Sequence, residues 1–175
     1  NGLINQNKGK NKGITEAGWH VIRELLSREN GKRILIDIKH MSVTARKEYY
    51  SFISNYNSIN PGDIIPIVSS HSGVNGFSTM DGSIKDNDIM LKAREHRFYR
   101  WSINVSNEEI KIIHQSNGLI GLMMDRGMLG GLDLIKKIAD IEEEKEQRQQ
   151  YSRVFLDIGF EIVKTVRTRS GWDVF

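Results

Sequence analysis

The chain has 175 residues, of which 38% are hydrophobic, with 25 Lys and Arg against 22 Asp and Glu, five His and no Cys. This length fits one globular unit or a portion of one, and no window approaches the roughly 18 to 20 consecutive apolar residues of a membrane span. The absence of cysteine excludes disulfides, thiolate zinc sites and a cysteine nucleophile, and it favours a reducing compartment such as the cytoplasm.

The charge of the chain does not indicate a nucleic-acid partner. The formal net charge is +3, but the lysines near the first residue are opposed by an acidic stretch at 142–146. Because no basic stripe is interleaved with aromatic residues, we expect an ordinary solvated surface and no nucleic acid. Any metal must be bound by histidine and carboxylate side chains.

Helical and apolar β-branched segments alternate from residue 13 onward, whereas residues 1–12 are polar and predict a flexible segment. The predicted helices cover about residues 15–28, 43–56, 106–116 and 131–167, the last broken near Gly159. The predicted strands cover residues 33–38, 64–68 and 119–124, with a further strand beginning at 171–175. The stretch between residues 73 and 100 has no clear period and is long for a plain connection, so we interpret it as an active-site loop. An alternation of about 30 to 40 residues per unit is typical of a parallel α/β protein.

Two of the predicted strands end in histidine, at His40 and His71. The carboxyl ends of parallel strands form the functional face of α/β folds, so both imidazoles should point toward one place. Neutral imidazole is the commonest metal ligand, and the pattern therefore predicts a metal site. The alternative is that one or both histidines bind backbone carbonyls at the rim of the sheet.

The surroundings of these histidines resemble the membrane dipeptidase (renal dipeptidase) family of amidohydrolase-like metal enzymes. The similarity lies in four segments, which together cover about residues 13 to 124: GITEAG at 13–18, LIDIKHMS at 35–42, PIVSSHS at 66–72, and NVSNEEI at 104–110 with GLIG at 118–121. The two histidine segments are the most specific part, since they are similar to the family's D-L-S-H-x-S and S-H-S motifs.

The resemblance implies a (β/α) TIM-type barrel with its metal site at the C-terminal ends of the strands. It implies two zinc ions, bridged by a carboxylate and by a hydroxide that attacks a peptide bond, with His40 and His71 matching the histidines that bind one ion. A complete barrel needs about 250 residues, so residues 13–175 are expected to be a portion of one domain, truncated at both ends and inactive alone. A small dipeptide-like substrate is expected, and a homodimer is considered as the assembly.

The chain also departs from the family's pattern. The family's HxD pair, bridging Glu and upstream substrate histidine have no counterpart here, and its last metal-binding Asp would follow the strand that begins near Trp172. The family's substrate-binding Arg is replaced by Ser102 and Ile103, and the offset Arg100 is the candidate for that role. Lys39 replaces the usual Ser, and its ammonium is unfavourable beside a metal ligand unless it points toward the helix layer.

The remaining polar candidates have less specific interpretations. We interpret Asp37 as a cap or partner for the helix layer, with a supporting role behind the metal ligands as the alternative. Asp125 follows the third strand, where we expect an ion pair, with a place in the site as a strand-end carboxylate as the alternative. Other residues are expected to carry no chemistry, the methionines serving as core: His20, His96, His114, Met123, Met124 and Met128.

The sequence therefore predicts a zinc-dependent hydrolase of dipeptides or similar small amides. Two alternatives stay open, and Lys39, the unmatched Arg and the insertion at 73–100 motivate them. One is a noncatalytic barrel homologue that acts as a binding module. The other is a metal-dependent amidohydrolase with a different substrate.

Overall fold

A computed structural model of the protein describes residues 11–29, 31–84 and 97–167. The helices are α1 (Glu16–Leu26), α2 (Val43–Ile59), α3 (Asn107–Gln115), α4 (Arg126–Leu129), α5 (Leu132–Ala139) and α6 (Glu144–Arg167). The strands are β1 (Val68–Ser72) and β2 (Leu119–Leu122), and a 3-10 turn covers Asp81–Ser83. In the described ranges, no helix is both long enough and apolar enough to cross a membrane.

Side-chain caps fix where the first three helices begin. The Thr15 hydroxyl accepts the Gly18 N–H at the start of α1, and the Ser42 hydroxyl accepts the Ala45 N–H at the start of α2. Ser106 and Glu109 form a reciprocal capping box at the start of α3. Such caps satisfy backbone N–H groups that have no partner inside the helix. The predicted helix starts are confirmed, although α2 continues to Ile59, beyond the predicted end.

The centre of the fold is a small parallel sheet. β1 pairs with β2, with Val68 opposite Leu119, and an irregularity in the pairing lies between Ser69 and Ser72. Asp37 forms an isolated parallel bridge with Val68 on the other side of β1. Three extended segments therefore run in the same direction. Their order across the sheet is the segment around Asp37, β1 and β2.

The first two predicted strands differ from the observed ones. Over 33–38 the structure shows only the bridge at Asp37, and Ile34 and Leu35 are 59% and 42% exposed, so the prediction that this segment is covered on both faces is wrong. The second strand starts at Val68 instead of residue 64. Pro66 has no N–H to donate to a ladder, which is consistent with the late start.

The last predicted helix also needs correction. Gly159 lies inside the continuous helix α6, and the interruption comes earlier, between Ala139 and Glu144. A single glycine costs about 1 kcal/mol in a helix, too little to break one that packs along its length. Met124 is 77% exposed, so the expectation that it fills the core is wrong. Part of the predicted loop and the last predicted strand lie outside the described residues, which do not include 1–10, 85–96 and 168–175.

The hydrophobic core lies between the sheet and helices α2, α3 and α6. Its fully buried members include Ile38 and Ile67 from the extended segments, Ile53 from α2, Ile110 from α3 and Ile158 from α6. Helices thus pack against a parallel two-stranded sheet, which is a mixed α/β arrangement. The barrel stays a prediction.

Candidate functional site: a histidine pair at the ends of parallel segments

His40 and His71 lie side by side. Their Nε2 atoms are 3.2 Å apart, and their ring centroids are 5.2 Å apart with the ring planes inclined at 54°. His40 follows the segment that bridges to β1, and His71 lies within β1 itself, so the parallel arrangement carries both rings to the same edge. Both rings remain accessible, with His40 exposed and His71 half-buried.

The separation of the two nitrogens fits a shared zinc ion. Two nitrogens that each lie about 2.0 to 2.1 Å from a zinc ion at the tetrahedral angle are about 3.3 Å apart. The observed 3.2 Å is close to that value. Across the described ranges, no group of three or more His, Cys, Asp or Glu side chains is placed to hold a metal. Among the described residues, the pair alone therefore falls short of the three or four protein ligands of a zinc site.

Asp37 lies behind this pair and contacts it through Ser70. The Ser70 hydroxyl oxygen is 2.5 Å from Asp37 Oδ2 and 2.6 Å from His71 Nδ1. Asp37 Oδ1 also accepts the N–H groups of Ser70 and Lys39, both at 3.1 Å. Burial is the largest single influence on the pKa of Asp37 and raises it, but these hydrogen bonds together outweigh burial, so the pKa is lowered. Our interpretation of Asp37 as a partner of the helix layer is wrong, because its partners are β1 and its own backbone turn.

The ammonium of Lys39 is buried and contacts the residues that lead into α3. Lys39 is 1% exposed, and its Nζ donates to the Ile103 carbonyl at 3.2 Å and to Asn104 Oδ1 at 3.3 Å. Burial, with the nearby positive charge of Arg46, lowers its pKa to about 8. The side chain thus points toward the residues that lead into α3, the orientation that the sequence analysis required of this lysine.

A buried ion pair between Arg46 and Glu109 binds the backbone near Lys39. Arg46 Nε donates to Glu109 Oε1 at 2.6 Å, and the two side chains are 2% and 0% exposed. The other guanidinium nitrogens donate to the carbonyls of Met41, at 2.9 Å, and Ser102, at 2.8 Å. Because Met41 directly follows His40, this pair helps to hold the chain where the first histidine leaves the strand. Sequence reasoning missed the pair, and only the S-x-x-E spacing from Ser106 to Glu109 signalled one half of it.

Asn104 connects the chain after His71 to the segment that contains Arg100. Asn104 Oδ1 accepts the Gly73 N–H at 3.2 Å, and its Nδ2 donates to the Tyr99 carbonyl at 3.1 Å. Asn104 is fully buried, so both bonds are shielded from water. The sequence analysis noted this residue only as part of a motif and missed its connecting role.

Arg100 has an unusual environment for a cation. Its guanidinium carbon is 3.8 Å from the centroid of the Phe77 ring, which is a cation–π contact. Its Nε is buried without a hydrogen-bond partner among the described residues. Burial lowers its pKa. A guanidinium that is stacked on one face and has an unpartnered Nε can donate hydrogen bonds to a carboxylate that lies in its plane.

No family model, curated protein or solved structure matches this chain. The likeness to membrane dipeptidases therefore rests on the motifs alone.

Of the other candidate residues that the structure describes, one caps a helix and two are exposed on helices. Asp125 caps α4 by accepting the Gly127 N–H at 2.8 Å, and among the described residues it does not form the ion pair that we expected. His20 lies exposed on α1 and His114 exposed on α3. His96 lies outside the described residues.

Proposed function

We propose that this chain is the histidine-bearing portion of a zinc-dependent hydrolase of the membrane dipeptidase type, which acts on dipeptides or similar small amides. The observation that carries the proposal is the 3.2 Å separation of the His40 and His71 Nε2 atoms, on the two segments whose motifs resemble that family. Bound zinc would supply Lewis-acid activation of water and of the substrate carbonyl. His40 and His71 would hold one ion, and the remaining ligands come from outside the described residues.

The other residues of the site fit this role by position and charge. Asp37 and Ser70 support the ring of His71, while Arg46 holds the backbone after His40. Arg100 is the candidate to bind the carboxylate of a dipeptide, because its cation has no carboxylate partner in the described part of the chain. Asn104 forms hydrogen bonds to the backbone beside Arg100 and to the loop after His71, which fixes the two parts of the site relative to each other.

The proposal is tested by the metal content of the full-length protein, measured by mass spectrometry after purification without chelators. We expect about two zinc ions per chain in the wild type and about one or fewer in His40→Ala and in His71→Ala. The matched control is His114→Ala, which removes an exposed histidine from α3 and should leave the metal content unchanged. A folded wild-type protein without metal would refute the hydrolase and leave the binding-module alternative.

Substrate choice is tested with the same protein. Dipeptides with a free carboxyl terminus are compared with the same dipeptides as C-terminal amides, and with acylated or deaminated small amides. Arg100→Met should raise KM for the free dipeptides by about 10- to 100-fold, the loss expected for a hydrogen bond to a charged group. The amides should respond little. Activity on other amides with none on dipeptides would favour the amidohydrolase alternative.

A further inference from the structure

Ser70 and Asp37 determine more than the position of His71. We infer that they fix the tautomer of His71, so that its ring proton is held on Nδ1 and the lone pair of Nε2 is presented at the exposed edge, facing His40. The inference rests on the proposed function only for the identity of the ligand that uses this lone pair. The tautomer itself follows from the hydrogen bonds.

The three groups form a continuous chain of short contacts. Asp37 Oδ2 lies 2.5 Å from the Ser70 hydroxyl oxygen, which lies 2.6 Å from His71 Nδ1. The other carboxylate oxygen of Asp37 is held by two backbone N–H groups, those of Ser70 and Lys39. Asp37 is therefore oriented by the main chain, and it cannot rotate away from Ser70 without breaking those bonds.

Counting the protons along Asp37, Ser70 and His71 fixes the direction of both hydrogen bonds. An ionised carboxylate only accepts hydrogen bonds, so the single hydroxyl proton of Ser70 is donated to Asp37. If that proton were donated to His71 instead, two bare oxygens would face each other at 2.5 Å, which is strongly repulsive. The Ser70 oxygen must therefore accept, and the donor is the Nδ1–H of His71. A neutral imidazole that carries its proton on Nδ1 has a free lone pair on Nε2.

The neighbouring ring is consistent with this assignment. His40 Nε2 lies 3.2 Å from His71 Nε2, a separation at which two lone pairs would repel each other. When both rings are neutral and no metal is bound, His40 therefore donates its Nε2–H to the lone pair of His71. A cation that binds between the rings requires the neutral His40 ring to carry its proton on Nδ1 instead, which frees its Nε2 lone pair. In many metalloproteins a carboxylate directly orients the histidine ligand. In this chain a serine hydroxyl stands between the two, and this makes Ser70 a positioning residue.

The test reads the tautomer directly. Two-dimensional ¹H–¹⁵N spectra of the histidine side chains are recorded on the metal-free full-length protein and on Ser70→Ala, Ser70→Thr and Asp37→Asn. We expect the Nδ1–H pattern for His71 in the wild type and in Ser70→Thr, which keeps the hydroxyl. In Ser70→Ala and Asp37→Asn the signals of His71 should move toward the Nε2–H form. The exposed His114 serves as the internal control and should not move.

Zinc binding, measured by competition with a chromogenic chelator, gives the second readout. We expect Ser70→Ala and Asp37→Asn to bind zinc about 10- to 100-fold more weakly than the wild type, and Ser70→Thr to restore most of the loss. An Nε2–H tautomer of His71 in the wild type, or unchanged His71 signals in both folded loss variants, would overturn the inference. If the tautomer shifts as expected but the wild type binds no zinc, the inference stands and the proposed function fails.

Discussion

Replacing Glu109 by Gln removes the negative charge opposite Arg46 while keeping the size and shape of the side chain. Both side chains are almost completely buried, and the Glu109 carboxylate also accepts the Ser106 N–H at 2.8 Å and the Tyr50 hydroxyl at 3.1 Å. Losing one partner of a buried ion pair costs about 3 to 5 kcal/mol, because the other charge is left without compensation. Gln keeps one acceptor oxygen for these donors, so we expect Glu109→Gln to lower the free energy of unfolding by about 3 kcal/mol.

The assay is equilibrium unfolding in urea, followed by far-UV circular dichroism, on the wild type, Glu109→Gln, Glu109→Leu, Arg46→Met and the Glu109→Leu/Arg46→Met double variant. Since removing both charges leaves neither partner of the pair uncompensated, the double variant should be destabilised by less than the sum of the single variants, with a coupling of at least about 1.5 kcal/mol. Arg148→Met is the control. It breaks an exposed pair with Glu144 one turn away on α6, and should cost about 0.5 kcal/mol or less.

The reasoning about this pair is refuted by either of two results. One is a cost below about 1 kcal/mol for Glu109→Gln, which would mean that water reaches the pair. The other is simple additivity in the double variant, which would mean that the two side chains do not act on each other.

Two further predictions concern stability. Tyr49→Phe should be neutral or stabilise the protein by about 1 kcal/mol, because the Tyr49 hydroxyl is buried without a partner among the described residues. Tyr50→Phe should instead lower the free energy of unfolding by about 1.5 to 3 kcal/mol, because it breaks the hydrogen bond to Glu109. Equal effects in urea unfolding would contradict this contrast. Hydrogen bonds from the Arg33 guanidinium lower the pKa of Asp63 from 3.8 to about 2, so the stability that ionised Asp63 provides is present above about pH 4 and is lost as the pH falls through about 2. The difference in unfolding free energy between the wild type and Asp63→Asn should therefore shrink from pH 5 to pH 2, and a constant difference would count against the assignment.

The convergence of the two histidines could be anticipated because it depends on local sequence and on one rule of topology. Each histidine comes at the end of an apolar β-branched run, and such runs in parallel arrangement end at a common edge. The helix starts could also be predicted, since Thr15, Ser42 and Ser106 are cap residues whose effect reaches only three residues along the chain.

The residues behind the site could not be anticipated, because their partners are far away in sequence. Nothing near Arg46 indicates that its guanidinium meets Glu109, 63 residues later. Asp37 was assigned to the wrong layer for a related reason. Alternation along a strand indicates which face a side chain occupies, but a short side chain at a strand edge can turn sideways and bind the neighbouring strand, as Asp37 does with Ser70.

The order in which the parts of the chain fold follows from its parallel sheet. His40 and His71 are 31 residues apart, and the pairing of Asp37 with Val68 that aligns them requires the whole intervening segment, α2 included, to close into a loop. Loop closure costs entropy before any hydrogen bond is gained, whereas the capped helices form from neighbouring residues. In a refolding experiment the helical signal should therefore return before the two imidazoles meet. Any ligand that needs both rings would bind only to chains in which the sheet has already closed.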